Sequence, residues 1–414
     1  MFSSVEEQKV HDLLLEKHTY GGDAMGRLDD GRAVFVPFGL PGERVRVQLT
    51  EEKRGFARGK LLDVITPSPK RILPRCKHFG VCGGCHYQNL PYEEQLNAKT
   101  EILRDQLTRI GKIENPPVQK MVASPSPWNY RNHVQFHLTE EGKLGYVRAQ
   151  APTVFAVEEC HLPEGFLNSL WTQIEFEPGT NIERASLRAG KEHDSMLILE
   201  SNSSEAPDLE IEARISVVYL FEENAVVIAG NDHIMISVLG RDFRVSAASF
   251  FQVNTVMAEK MVKQLLTYVP ISLSITVLDV YCGVGLFSAF FAPECERVIC
   301  IESSPSACED FAFNLDEFDN VELYEGPAEE VIPHLEAKPD LVVVDPPRVG
   351  LERRVVDGIL KMNPHGIAYV SCDPSTLARD TARLIHGGYR LKDVTPFDLF
   401  PQTYHIESIS LFER

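Results

Sequence analysis

The sequence predicts an α/β protein: a C-terminal Rossmann-like parallel sheet with crossover helices, preceded by a small N-terminal β-barrel and a mixed α+β middle region. Three observations predict it. From about residue 250 onward, short apolar runs alternate with helical stretches. Before residue 66, short strand candidates alternate with glycine- and proline-bearing turns. Between these regions lie a cysteine-rich segment, one helix and a long, mostly strand-like tract. A chain of 414 residues exceeds one ordinary domain. We divide it into 1–66, 67–249 and 250–414.

In the first segment, Val34–Pro37, Glu43–Leu49 and Lys60–Ile65 read as strands. Gly21-Gly22, Asp29-Asp30-Gly31 and Pro41-Gly42 read as turns between them. Several short strands in so few residues predict a barrel of the OB kind, an architecture that binds nucleic acids. The whole chain carries a net charge of -19, which opposes broad, non-specific affinity for phosphate. Glu43 to Arg75, however, holds nine Lys and Arg against four Asp and Glu, a local excess of +5. A basic module on an acidic body suits RNA, whose phosphates require Lys and Arg. Thr66-Pro67-Ser68-Pro69 reads as a linker.

The middle segment opens with Cys76, Cys82 and Cys85, and Cys160 follows at a distance. The N-terminus Met1–Glu7 lacks the basic and apolar regions of a signal peptide. The most apolar stretch, Ile275–Ala292, is interrupted by Asp279 and Gly283, so no membrane span is expected. A cytoplasmic location follows, and there the cysteines are not a disulfide framework. Four thiolates around one centre are compatible with zinc or with a cubane iron–sulfur cluster. Tyr92–Ile110 is predicted to be a helix, with Leu96, Leu103, Leu107 and Ile110 near helical spacing. Extended to about 112, it is a candidate to pack on the C-terminal domain. Residues 116 to about 245 read mostly as strands of unassigned topology.

In the last segment Ile275–Val280, Val298–Ile301, Leu341–Val344 and Ile367–Val370 are apolar runs, and Pro305–Leu315 is helical. Such alternation predicts a parallel sheet, whose ligands sit beyond the carboxyl ends of its strands. After the first run comes Asp279-Val280-Tyr281-Cys282-Gly283-Val284-Gly285. Gly283 and Gly285 allow backbone to approach a ligand closely. The third glycine of a dinucleotide fingerprint is missing. Glu302 ends the next run, where an acid suits the hydroxyls of an adenosine ribose. Nucleoside binding without a pyrophosphate fits S-adenosylmethionine. The plainer alternative is a tight turn with an incidental acid.

The third run ends in Asp345-Pro346-Pro347-Arg348, a rigid extended rim against which a planar base can lie. The fourth ends in Ser371-Cys372-Asp373-Pro374, which puts Cys372 at the mouth of the sheet beside a helix start, where a thiolate is stabilised. Near the C-terminus stand His405 and Glu407. Taken singly, Cys372 reads equally as a small buried hydrophobe, Glu407 as a solvated acid and His405 as a packing residue. Together they offer a specific chemistry. Carbon 5 of uracil is a poor nucleophile, and a thiolate added at carbon 6 makes it an enolate. A base must then remove the hydrogen on carbon 5. Cysteine, base and methyl donor around one ring are the parts required.

On Phe251-Gln252-Val253-Asn254, the loop Tyr281–Gly285, Asp345-Pro346-Pro347-Arg348, Ser371-Cys372-Asp373-Pro374 with Thr376–Asp380, and Phe400-Pro401-Gln402-Thr403 ending in His405-Ile406-Glu407, the chain resembles the RNA uracil-5-methyltransferase family. The resemblance spans nearly the whole sequence and is nearest the iron–sulfur members acting on 23S ribosomal RNA. It implies a class I methyltransferase domain, a TRAM-type barrel, Cys372 as nucleophile and Glu407 as base. It implies Gln252, Tyr281, Glu302 and Asp345, with Gly283 and Gly285, as S-adenosylmethionine contacts. Tyr281 stands where Phe is frequent in the family, and Asp373 where Asn is. The 5-then-2 cysteine spacing plus one remote cysteine favours a [4Fe-4S] cluster on Cys76, Cys82, Cys85 and Cys160 over zinc. The implied partner is RNA, ribosomal or transfer, with the uridine flipped from its stack. Arg44, Arg46, Lys53, Arg54, Arg58 and Lys60 would face phosphates, and Asn129–Asn132 resembles an RNA-contacting segment. No membrane or obligate protein partner is expected, and a monomer suffices.

Cytosine-5 methylation is disfavoured, because that class typically carries a second cysteine in a Pro-Cys motif after the third strand, where this chain reads Pro346-Pro347-Arg348. Adenine amino-methylation would place an aromatic at Arg348. A non-catalytic RNA-binding factor on the same fold is the alternative of a different kind.

Overall fold

Alternating burial builds the N-terminal module. In Arg44-Val45-Arg46-Val47 the valines are buried and the arginines exposed, as the two-residue period of a strand requires. The computed structural model describes residues 10–206, 214–222, 224–268 and 274–414; the stretch Met1–Glu7 lies outside them. Strands β1 (Val10–His18), β2 (Asp23–Arg27), β3 (Ala33–Pro37), β4 (Arg44–Glu52) and β5 (Phe56–Thr66) close into a barrel of order β1-β2-β3-β5-β4. The first two strands had no signal strong enough to read from sequence. Glu43 is fully buried beneath the barrel, held by Arg71 at 2.5 and 2.7 Å, and its carboxylate also accepts from Leu40 N. Ser68 N also donates to Glu43 Oε1 at 3.2 Å, so the stretch read as a linker is pinned to the barrel.

Helix α1 (Tyr92–Arg109) follows the cysteine-rich segment. A seven-stranded sheet then forms from β6 (His133–Leu138), β7 (Leu144–Val147), β8 (Val154–Ala156), β9 (Ile182–Ala189), β10 (Ser195–Ser201), β11 (Ser216–Phe221) and β12 (Asn224–Ala229), with α2 (Gly165–Trp171) on one face. Its order is β12-β11-β10-β9-β6-β7-β8. Neighbouring strands are consecutive in sequence except β6 and β9, which pair across β7, β8 and α2, and local periodicity carries no information on such a pairing. A hairpin of β13 (His233–Val238) and β14 (Arg241–Ser246) leads to α3 (Thr255–Tyr268).

The C-terminal sheet comprises β15 (Thr276–Val280), β16 (Arg297–Glu302), β17 (Val321–Glu325), β18 (Leu341–Val344), β19 (Gly366–Ser371), β20 (Arg390–Phe397) and β21 (Glu407–Glu413). The helices α4 (Ser288–Phe291), α5 (Pro305–Asn314), α6 (Ala328–Val331), α7 (Arg353–Met362) and α8 (Pro374–His386) connect them. The strand order is β17-β16-β15-β18-β19-β21-β20, parallel except at β21. The order reverses between β15 and β18, the place where sheets of this kind open a ligand crevice. Apolar cores cover both faces. One of them takes Leu96, Ile102, Leu103 and Leu107 from α1, and α1 packs against α8. Among the described residues, no helix is long and apolar enough to cross a membrane.

Candidate active site

Beyond the carboxyl end of β15 the chain turns through Tyr281, Gly283 and Gly285, all at positive φ (66°, 57° and 88°). Gly285 has no room for a side chain: a Cβ would lie 2.3 Å from Leu315 and 2.9 Å from Phe311, so glycine lets α5 close on the loop. A Cβ on Gly283 would meet open space, which leaves that side of the loop free for a ligand. Glu302, at the end of β16, accepts from Gly283 N at 2.9 Å through one oxygen and from Ser303 N and Ser304 N at 2.8 Å through the other. The acid therefore shapes the glycine loop.

Asp279 and Asp345 stand at the same edge. Burial pushes the Asp279 carboxyl up to about 7, against a hydrogen bond from Ser288 Oγ at 2.5 Å. Its Oδ1 is buried without a hydrogen-bond partner. Burial and then Asp279 push Asp345 up to about 7. A buried acid, a half-buried one and an orphaned acceptor beside a glycine turn fit a cationic, hydrogen-bonding ligand such as S-adenosylmethionine. Asp279 escaped the sequence reading as a site residue; a lone acid in an apolar strand was the available signal. Gln252 is half-buried, and its carbonyl accepts from Asn132 Nδ2 at 3.0 Å.

Cys372 and Glu407 are brought together by register. β19 and β21 run antiparallel with Ser371 opposite Ser408, so the next residue outward on each strand is Cys372 and Glu407. Glu407 is only 8% exposed, which removes the reading of it as a solvated acid. Burial pushes its carboxyl well above the ordinary value; Asp345 adds to this, while Arg348 and Lys99 oppose it. Cys372 is half-buried. Burial first, then Glu407 and Asp345, push its thiol up to about 12, and Arg348 pulls the other way. The two groups, Asp345 and Arg348 thus form one electrostatic unit. His405 is half-buried among Tyr404 and Phe400, and burial lowers its ring to about 3, so it is neutral.

Asp373 caps α8, its Oδ1 accepting from Ser375 N at 2.8 Å and Thr376 N at 3.0 Å, with Pro374 at the first helical position. Its Oδ2 accepts from Tyr20 Oη of the barrel at 2.9 Å. The loop before Glu407 is gripped from the middle region. His86 N and Tyr87 N donate to Gln402 O at 2.8 and 3.0 Å, Gln95 Nε2 donates to Gln402 Oε1 while Gln95 Oε1 accepts from Gln402 N, and Tyr130 Oη donates to Pro401 O. Lys99 was also missed, although a lysine in register with Leu96, Leu103 and Leu107 on an apolar helix face was a legible anomaly.

Some expected RNA contacts are otherwise employed. Tyr130 and Asn132 are buried, and Arg131 stacks over Tyr130 and Phe400, so Tyr130–Asn132 packs inward while Asn129 is exposed. In the barrel, Arg46, Lys53 and Arg58 pair with Asp12, Glu51 and Asp23. Arg44, Arg54 and Lys60 are exposed.

Cys76, Cys82, Cys85 and Cys160 line one small cavity, with Tyr146, Phe79 and Leu162. Burial pushes Cys82 up to about 11 and Cys85 up to about 12, and neighbouring thiols add to each shift. Among the described residues, no three His, Cys, Asp or Glu side chains stand close enough to hold a single ion. Four convergent thiols in an apolar cavity fit a larger, thiophilic cationic centre by donor chemistry.

A parallel sheet with a glycine loop at its switch point, joined to a small closed barrel, suits an S-adenosylmethionine-dependent RNA methyltransferase, and the comparisons with known proteins supply that class. Residues 223–414 match the family model for tRNA (Uracil-5-)-methyltransferase and residues 5–62 that for the TRAM domain. An uncharacterized RNA methyltransferase of Halalkalibacterium halodurans is 33% identical over 99% of this chain and 98% of its own length. One of Aquifex aeolicus is 36% identical over 98% of this chain and 99% of its own. The crystal structure of Pyrococcus abyssi tRNA (uracil-54, C5)-methyltransferase in complex with S-adenosyl-L-homocysteine superposes with a TM-score of 0.74, at 25% identity, over 97% of this chain and 100% of that one. The chain belongs to the RNA uracil-5-methyltransferase family and carries an N-terminal TRAM domain.

Proposed function

We propose that this protein methylates carbon 5 of a uridine in RNA, through a covalent bond between Cys372 Sγ and carbon 6, with Glu407 as the base. The observation that carries the proposal is the β19–β21 register, which sets Cys372 beside Glu407 at the end of the sheet where the glycine loop opens. Cys372 adds to carbon 6 as the thiolate, and the ring's electrons move to the carbon 4 oxygen. S-adenosylmethionine, when bound, would supply an electrophilic methyl to carbon 5, the sulfonium S–CH3 bond breaking as the carbon–carbon bond forms and the sulfur keeping the electron pair as S-adenosylhomocysteine. Glu407 then accepts the proton from carbon 5, the double bond re-forms, and Cys372 leaves with its electron pair. Arg348 favours the charged form of both groups and so opposes the cost of burying them. Gln252, Tyr281, Glu302, Asp345 and the two glycines would hold the donor.

The RNA is ribosomal in this reading, on the family resemblance. A transfer RNA substrate is the second reading, favoured by the similarity to the Pyrococcus abyssi enzyme. Cys76, Cys82, Cys85 and Cys160 would hold a [4Fe-4S] cluster. Methyl transfer moves no unpaired electrons, so its part is structural.

RNA carrying 5-fluorouridine tests the mechanism, because fluorine cannot leave as a proton does. With S-adenosylmethionine, the wild-type protein should gain the mass of a covalent RNA adduct, and Cys372→Ala should gain none. An adduct that persists in Cys372→Ala, or none in wild type on RNA that it methylates, sinks the assignment. Mapping 5-methyluridine in ribosomal and transfer RNA, with and without the protein, decides the substrate.

A further inference from the structure

We propose that Tyr20, in the turn between β1 and β2 of the barrel, is a positioning residue of the catalytic centre, fixing Asp373 and through it Cys372. The inference rests on Cys372 as the nucleophile. Tyr20 Oη donates to Asp373 Oδ2 at 2.9 Å across 353 residues of sequence. The other oxygen of that carboxylate caps α8 through Ser375 N and Thr376 N. On the near side, Ser371 Oγ accepts from Asp373 N at 3.2 Å and donates to Asp373 O at 3.0 Å. Both carboxylate oxygens of the residue after Cys372 are therefore committed, one to its own helix and one to the barrel.

Tyr20 reaches the base side as well. Its ring meets Tyr404 edge-on at 5.8 Å, and Tyr404 lies in the loop leading to Glu407. Burial first, then the Asp373 charge, hold the phenol above its ordinary value, so it stays protonated and remains a donor. The barrel is itself anchored, Lys17 Nζ lying 3.0 Å from Asp105 on α1, the helix that packs on α8. The module read as an RNA-docking domain thus completes the frame that aims the nucleophile. Aim matters here, because attack requires the reacting atoms about 3–3.5 Å apart and a displacement of about 1 Å costs on the order of a hundredfold in rate.

Tyr20→Phe keeps the ring against Tyr404 and removes the hydroxyl. We expect kcat to fall about tenfold or more, as for loss of a hydrogen bond to a charged group. KM for S-adenosylmethionine should stay unchanged, and adduct formation on 5-fluorouridine RNA should slow by the same factor as kcat. Asp373→Asn should retain most of the rate, since its amide can cap α8 and still donate to Tyr20 Oη. Asp373→Ala should be slow, and adding Tyr20→Phe to it should slow it no further. Wild-type kcat and adduct rate in Tyr20→Phe would overturn the proposal. So would an effect confined to KM for RNA, or one that multiplies in full with Asp373→Ala. If wild type forms no adduct, the nucleophile assignment fails. If wild type forms it and Tyr20→Phe forms it equally fast, only the role of Tyr20 fails.

Discussion

Lys99 Nζ lies 2.6 Å from Asp398 Oδ1, both side chains are fully buried, and the pair joins a helix of the middle region to the loop that leads into Glu407. Lys99 also donates to Phe400 O at 3.0 Å. The lysine has two parts to play: it ties down the loop, and its charge opposes the burial that pushes Glu407 upward.

Lys99→Met should therefore destabilise the fold by about 3–5 kcal/mol, the cost of leaving a buried charge without its partner. Urea unfolding would measure this. Adding Asp398→Asn should recover part of the loss, because the stranded charge is then gone. Full stability in Lys99→Met would contradict the pairing.

The Cys372 thiol, pushed up to about 12 chiefly by burial, should react slowly at neutral pH. An acid with a raised value is mostly protonated below it, so its thiolate fraction climbs about tenfold per pH unit up to that point. Alkylation of Cys372, followed by peptide mass spectrometry, should accelerate from pH 7 to 10 with no plateau. Arg348 favours the thiolate, so Arg348→Gln should slow alkylation at every pH in that range. A plateau below pH 9 would mean that burial and the negative neighbours do not raise the thiol as described.

The four-cysteine cavity should bind iron and acid-labile sulfide, about four of each per chain, when the protein is purified without oxygen. Cys85→Ser should lose most of both. It should also loosen the loop before Glu407, since His86 N and Tyr87 N hold Gln402 O; hydrogen exchange at residues 398–405 would report this. One zinc per chain and no sulfide would refute the cluster.

Much of this protein was legible along the chain. The apolar runs at 275–280, 298–301, 341–344 and 367–370 are strands β15, β16, β18 and β19, and the helix expected at Tyr92–Ile110 is α1 almost to the residue. Burial on both faces makes parallel strands continuous in hydrophobicity, and an amphipathic helix repeats every three to four residues. The 116–245 tract was not legible, because β6 pairs with β9 across the intervening β7, β8 and α2, and a strand such as β10 is buried almost throughout and does not alternate.

Residue types at strand ends also marked the candidate site proposed above, since glycines, acids and a cysteine beyond apolar runs stand at the mouth of such a sheet wherever the chain later goes. What the sequence determined by itself was this local grammar, together with the family it resembles. Only the tertiary structure decided that Glu407 is buried beside Cys372, that a barrel tyrosine holds Asp373, and that Lys99 meets Asp398. Such contacts join residues up to 353 positions apart. Their protonation and geometry come from exclusion of water and from strand register, which exist only once the elements have packed.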